Sequence, residues 1–423
     1  MQAQFKICGG IIFVQRVFGH PLNRKYTSIH LNSYRGVSLL LNKDKGVFLL
    51  NKQRLLDEFL ELVKIDSETK NERQIADVLT KKLEALGFEV TEDDTSEKTG
   101  HGAGNLIANL KGSIPEADPI YFTCHMDTVV PGQQIQPVVK DDGYVYSDGT
   151  TILGADDKAG IAALLEMAKV LQEQNKPHGD IQFIITAGEE SGLVGAKEMN
   201  PDALKAKYGF AIDSDGKVGG IVTAAPYQSK LWTTIYGKTA HAGVAPEKGI
   251  SAISLAAKSI AGMKLGRIDH ETTANIGRFE GGQATNIVCE EAFILSEVRS
   301  INPEKMQKQI DSMTEKFATT ASSLGGQAET KTELMYPGFN LTEQEPVVQV
   351  AMKAIRKIGR EPNIMTSGGS DGNVFNGMGV PTVTLSVGYE EIHTKNERMP
   401  IEELNLLTEL LLEIVEQAAT TAE

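Results

Sequence analysis

The chain reads as α/β: a mixed-sheet domain with helices on both faces, interrupted by an inserted ferredoxin-like α+β unit. Three observations predict this. Apolar strand-like runs alternate with helical periodicities over residues 55–212, the pattern of a sheet covered on both faces. After Pro226 the order becomes β-α-β-β-α-β, the split ferredoxin-like motif. The first pattern then resumes and runs to the C-terminus. At 423 residues the chain suits two domains rather than one small core. The expected division is 47–226 with 338–423 as one domain and 227–337 as the insertion, preceded by an atypical extension over 1–46.

The elements follow in order. Leu55, Leu56, Phe59, Leu60, Leu62 and Val63 have helical spacing, and a second helix over 72–86 stops at Gly87. Residues 105–110 and 120–124 read as strands, the latter buried because it is continuously apolar. A helix over 157–174 opens on an acid and carries Ile161, Leu164, Leu165, Ala168 and Leu171. Residues 181–185 and 209–212 are further buried strands. In the insertion, strands are expected at 230–236, 273–279, 292–299 and 328–335, and helices at 250–263 and 303–324. The parent domain returns with a helix at 346–358, a strand at 380–387 and a last helix at 401–419.

Bulk composition excludes several function classes. A net charge of -14 argues against nucleic acid as a partner. The longest apolar runs are far shorter than a membrane span. Three cysteines, Cys8, Cys124 and Cys289, form no paired motif, which points to a reducing, cytoplasmic setting without disulfides or thiolate metal sites. Residues 1–46 carry Lys6, Arg16, Arg24, Lys25, Arg35, Lys43 and Lys45 against the single acid Asp44. They lack a secretory apolar core. A transit peptide and an upstream leader before a natural start near Leu50 are both open readings.

The chemistry gathers at strand ends. His125 and Asp127 flank Met126, so in an extended chain both point the same way, and Asp127 can brace a metal-binding imidazole. Alone, such a pair reads as a surface feature, since such tripeptides are common. Asp156 and Asp157 stand between a loop and a helix. Asp157 reads as a helix-opening cap and Asp156 as a carboxylate shared by two cations, whose mutual repulsion demands one. Glu189 and Glu190, between glycines after a buried strand, divide into a general base and a ligand. Asp213 follows another buried strand, and His393 supplies a late imidazole. Imidazoles with oxygen-rich carboxylates suit paired divalent ions, zinc by default, manganese or cobalt as well.

The ordered set HxD, GADDKAG, GEESG, AIDSDG and a late Ile392-His393 resembles the dizinc peptidase and acylase superfamily, in particular its peptidase T-like members. The likeness runs from about Leu55 to the C-terminus. It implies a zinc-peptidase catalytic domain and one metal on His125, Asp156 and Asp213. The other would sit on Asp156, Glu190 and His393, with Asp127 orienting His125 and Glu189 as base. It also implies a non-proline cis peptide at Asp156-Asp157 and an inserted lid through which the chain would form a homodimer. The loop around His241 resembles the lid histidine that reaches across that dimer to the scissile carbonyl. Asn286 and Arg299 resemble lid substrate contacts, Asn286 towards the oxyanion, although Arg299 equally suits a structural salt bridge. Ser367, Gly368, Gly369 and Asn373 lie in a glycine-rich loop like the one that holds a substrate carboxylate with backbone N–H groups. Peptidase T proper has an arginine where Ser367 stands.

These readings converge on metal-dependent hydrolysis of short peptides with a free amino terminus. A same-family amidohydrolase of N-acyl amino acids or a carboxypeptidase is the nearest alternative, and an inactive binding protein on the same scaffold the more distant one. His20, His30 and His101 match nothing and are expected to be ordinary polar residues.

Overall fold

The computed structural model describes residues 4–8, 11–15 and 48–420. Its backbone forms two units, Met1–Val47 and Phe48–Glu423. In the first, strand Gln4–Cys8 pairs antiparallel with Ile11–Gln15; the remainder of the basic extension at 1–46 lies outside the described residues.

The second unit is built on a nine-stranded mixed sheet. Its centre is four mutually parallel strands in the spatial order Thr382–Ser386, Tyr208–Ser214, Ile120–His125 and Ile181–Thr186. Leu106–Leu110 and Glu89–Glu92 continue one edge antiparallel. Gly220–Ala225 extends the other, pairing also with Phe339–Asn340 and Asn363–Thr366. The period-2 geometry of strands sends alternate side chains to opposite faces. Ile120, Phe122, Cys124, Phe183 and Ile185 join a large core with helices Lys52–Val63, Ala155–Glu173, Pro346–Lys357 and Ile401–Thr420. Tyr121 and Ile184 face a smaller cluster with Leu193, Ala196 and Phe375. Cys124 is thus a packing residue, as its position on the strand implies.

Residues 227–336 form a second, five-stranded antiparallel sheet with two long helices. Antiparallel strands Thr272–Gly281, Glu291–Ser300, Tyr227–Tyr236 and Gln327–Tyr336 lie in that spatial order, and Gly266–Arg267 adds a short edge. Helices Ala252–Ala261 and Pro303–Ser323 contribute Leu255, Ala256, Met306, Ile310, Met313 and Phe317 to the cores formed with this sheet. Within the strand Glu291–Ser300, every second residue is buried.

Several elements were not predicted. Glu89–Glu92 is a mostly exposed edge strand with little apolar signal. Arg398–Pro400, Tyr144–Tyr146 and Val138–Val139 form a small separate sheet. The helix expected from Asp157 is assigned from Ala155, but Asp156 and Asp157 have non-helical backbone angles. The peptide between them is cis.

Candidate metal and catalytic site

The central parallel strands bring His125, Glu189, Glu190 and Asp213 to their carboxyl ends, the place where open α/β sheets carry their sites. His125 ends its strand, Asp213 is the last but one residue of another, and Glu189 and Glu190 follow Ile181–Thr186 after a turn at Gly188. Gly188 has φ +71°, and a Cβ there would lie 2.5 Å from His101 Nε2. Only glycine lets this turn pass so close to the histidine.

The side chains sort into two groups around one carboxylate. Asp156 Oδ1 lies 3.1 Å from His125 Nε2, and Asp156 Oδ2 lies 3.1 Å from His393 Nε2. Asp213 Oδ1 is 3.8 Å from His125 Nε2, and Glu190 Oε1 is 2.8 Å from His393 Nε2. Potential ligand atoms of His125, Asp156 and Glu190 lie within 4.8 Å of one another, as do those of His125, Asp157 and Asp213. A cleft of about 230 Å³ opens over the group, bordered by Glu189, Tyr389, Ile392 and the 367–370 loop.

Asp127 lies against the His125 ring and makes a second set of bonds as well. His125 Nδ1 meets the Asp127 backbone carbonyl at 2.9 Å, and the carboxylate only at 3.4 Å. The carboxylate instead accepts the backbone N–H groups of Glu189 and Glu190, at 3.0 and 3.2 Å. Asp127 therefore joins the imidazole to the turn that carries both glutamates. Asp157 is a correction to its reading as a helix cap. It is fully buried, its Oδ2 accepts the His125 N–H at 3.3 Å, and its Oδ1 has no hydrogen-bond partner.

The electrostatics fit a cation-binding pocket. Burial pushes the carboxyls of Glu189, Asp213 and Asp157 well above the ordinary range, and neighbouring acids add to it. Burial would raise Asp156 too, but its bonds to His125 and His393 hold it far below. His393 is raised to about 10 by Asp156 and Glu190. Carboxylates packed this closely repel one another, and divalent ions held by imidazole nitrogens and carboxylate oxygens would relieve that repulsion. The donor set fits such ions.

The remaining expected residues divide by position. Ser367 and Gly368 are exposed on the cleft wall. Gly369 packs on Tyr336, where a Cβ would fall 2.3 Å from the ring. Among the described residues, the N–H groups of Gly368 and Gly369 have no acceptor. Asn373 is fully buried: its Oδ1 accepts the Ser370 N–H, and its Nδ2 donates to Pro337 O at 2.8 Å and Pro226 O at 3.3 Å. It braces the loop to the residues that flank the strands Tyr227–Tyr236 and Gln327–Tyr336. Arg299 pairs with Glu297 at 2.9 Å and donates to the Tyr336 hydroxyl at 3.2 Å, realising the salt-bridge reading. His241 and Asn286 sit on adjacent loops, with a bridge from His241 to Ile287 and Ala242 N–H donating to Asn286 O at 2.9 Å. Neither borders the cleft of the described chain.

Other residues were missed. His101, read as ordinary, is buried under the glutamate turn, with its ring nitrogens 2.8 Å from Ser191 Oγ and 3.0 Å from Thr99 Oγ1. Asp371 is buried against the Thr186 hydroxyl at 2.5 Å, and burial raises its carboxyl to about 6. Glu397 is buried against the Asp156 turn. The buried Tyr389 donates to Asp213 Oδ1 at 3.3 Å. Tyr389 is marked in sequence only by its place in the late strand-end segment and Asp371 only by its place in the glycine-rich loop; His101 and Glu397 carry no local signal.

Comparison with known proteins identifies the family of the chain. The model of Peptidase family M20/M25/M40 matches residues 121–417. The YqjE protein of Bacillus subtilis is 60% identical over 372 residues, covering 88% of this chain and 100% of the relative. A crystal structure of aminopeptidase PepT from Bacillus cereus superposes with a TM-score of 0.85 at 60% identity, over 88% of this chain and 100% of that one. A tripeptidase from Staphylococcus aureus gives 0.85 at 54% identity, over 88% and 99%. The family model and these relatives show that the chain belongs to peptidase family M20/M25/M40.

Proposed function

We propose that the chain is a dimetal aminopeptidase that cleaves short peptides, tripeptides among them, bearing a free amino terminus. The observation that carries this is Asp156, whose two oxygens each face a different imidazole. His125, Asp156 and Asp213 would hold one divalent ion, and Asp156, Glu190 and His393 the other, with zinc the default and manganese or cobalt suited to the same donors. Such ions supply a water acidified towards neutrality and a polarised carbonyl.

Glu189 borders the cleft and is tied to neither histidine. Its carboxylate takes the proton of the attacking water and delivers it to the leaving amine. Asp127, through the turn amides, keeps Glu189 and Glu190 in place while its carbonyl fixes the His125 ring. The free N–H groups of Gly368 and Gly369, beside Ser367, hold the substrate carboxylate. Residues 227–337 act as a lid on the catalytic domain of 47–226 and 338–423. His241 from the lid of a second copy, with Asn286, stabilises the oxyanion, so the working form is a homodimer.

The names of the relatives at 54 and 60% identity, a tripeptidase and an aminopeptidase, support the amino-terminal choice. Ser367, in place of a charged carboxylate clamp, is what favours the alternative of N-acyl amino acid hydrolysis or carboxypeptidase action. Assaying free tripeptides beside their N-acylated forms, with zinc and with chelator, decides between them. Zinc-dependent cleavage of free tripeptides is expected. Turnover of the N-blocked substrates alone would overturn the reading.

A further inference from the structure

Asp156 and His393 are separated by more than two hundred residues, yet they must meet to within a few tenths of an ångström. Their side chains touch, but a side-chain contact alone does not fix two loops. One other residue spans the gap. Glu397 lies four positions after His393 and is 1% exposed. Its Oε2 accepts the N–H groups of Leu153 and Gly154 at 2.7 and 2.8 Å, and its Oε1 accepts the Asp156 N–H at 3.1 Å. These three donors belong to the turn that presents Asp156.

The histidine end needs such a tether. His393 and Glu391 have φ of +61° and +57°, the left-handed region that non-glycine residues rarely adopt. That conformation persists only where surrounding bonds hold it. The bonds present include Glu397 N–H to Thr394 O at 3.1 Å, the Thr394 hydroxyl to Glu391 O at 2.7 Å and Asn396 N–H to Thr394 Oγ1 at 3.1 Å. Together they close a ring: Asp156 carboxylate, His393 imidazole, the 393–397 backbone, Glu397 carboxylate, and back to the Asp156 N–H. Glu397 touches no cleft surface.

From this ring, and resting on the dimetal reading above, we infer that Glu397 is a positioning residue that sets the spacing of Asp156 and His393 for metal binding. Glutamine at this position has nearly the same shape. Whichever way its amide turns, an NH₂ group faces the Asp156 N–H or the Leu153 and Gly154 pair, so the tether is broken on one side.

The test is zinc binding by metal-stripped full-length protein, measured by competition with a chromophoric chelator, for wild type and Glu397→Gln. Outer-shell partners of metal ligands typically contribute about 10–100-fold in affinity. The expected result is two zinc equivalents for wild type, and a loss of at least about tenfold for one or both in the variant. A merely structural role would lower the unfolding midpoint and leave zinc affinity of the folded variant within about tenfold of wild type, which would overturn the inference. Failure of wild type to bind zinc would instead sink the dimetal reading itself. Hydrogen exchange of metal-free wild type adds a measurement that needs no variant. The amides of Leu153, Gly154 and Asp156 should be protected, and free exchange there refutes the tether.

Discussion

Replacing Asp127 with Asn is the most informative single perturbation. The side chain is fully buried, and its two oxygens separately accept the amides of Glu189 and Glu190. Asparagine keeps the shape, removes the charge and turns one acceptor into a donor. One of the two amides then loses its partner and faces another N–H. A hydrogen bond to a charged group contributes about 1.5–3 kcal/mol, and an orphaned buried donor costs a similar amount. A loss of about 2–3 kcal/mol at the glutamate turn, expressed fully in the transition state, corresponds to roughly 30–150-fold in kcat. The assay is kcat and KM on a tripeptide at saturating zinc, beside urea unfolding of the same protein. The expected result is a fall in kcat of that order with a smaller change in KM. If stability falls by about 2 kcal/mol while kcat stays within about threefold of wild type, Asp127 only supports the fold and the reasoning fails.

Glu189→Ala should keep both zinc equivalents and lose about 10²–10⁴-fold in kcat, the usual contribution of a general base; an unchanged rate removes Glu189 from proton transfer. Asn373→Ala leaves Pro226 O, Pro337 O and the Ser370 N–H without their partner. It should cost about 1–3 kcal/mol in urea unfolding, and a change below about 0.5 kcal/mol would contradict its role as a brace. Glu58 is buried, which would raise its carboxyl, but bonds to Lys82 and Lys169 at 2.8 and 2.9 Å hold it below the ordinary range. Its folded-state pKa is depressed, so its stabilisation is complete above the unfolded glutamate value of about 4.3 and is lost as pH falls through the folded value. Glu58→Gln should therefore destabilise at pH 7 and flatten the acid limb of a stability–pH curve; parallel curves would show that Glu58 does not contribute there.

What sequence could show follows from range. Strands 120–124 and 181–185 are legible because both faces of the sheet are covered, which makes the strands continuously apolar. Candidate site acids after such runs are legible for the same reason: a carboxylate beside a buried strand end needs a purpose. The strands and helices of 227–336 are legible from the change in the order of elements after Pro226. Glu89–Glu92 was not, because an exposed edge of charged residues has no apolar period. Roles set by contacts across long separations were also hidden. Glu397 meets Leu153 across 244 positions, and Asn373 meets Pro226 across 147. Asp127 was placed at the site, but its bonds to the glutamate turn depend on how two separate strand ends lie. Asp157 reads as a helix cap by a local rule, whereas its carboxylate accepts the His125 backbone N–H from 32 positions away, a contact that local spacing does not show.

Crystals of the zinc-loaded protein, measured by anomalous diffraction at the zinc edge, test the role of Asp156 most directly. Two peaks are predicted, one on either side of the Asp156 carboxylate, the first against His125 and Asp213 and the second against Glu190 and His393. A single peak, or two that do not share Asp156, would contradict it.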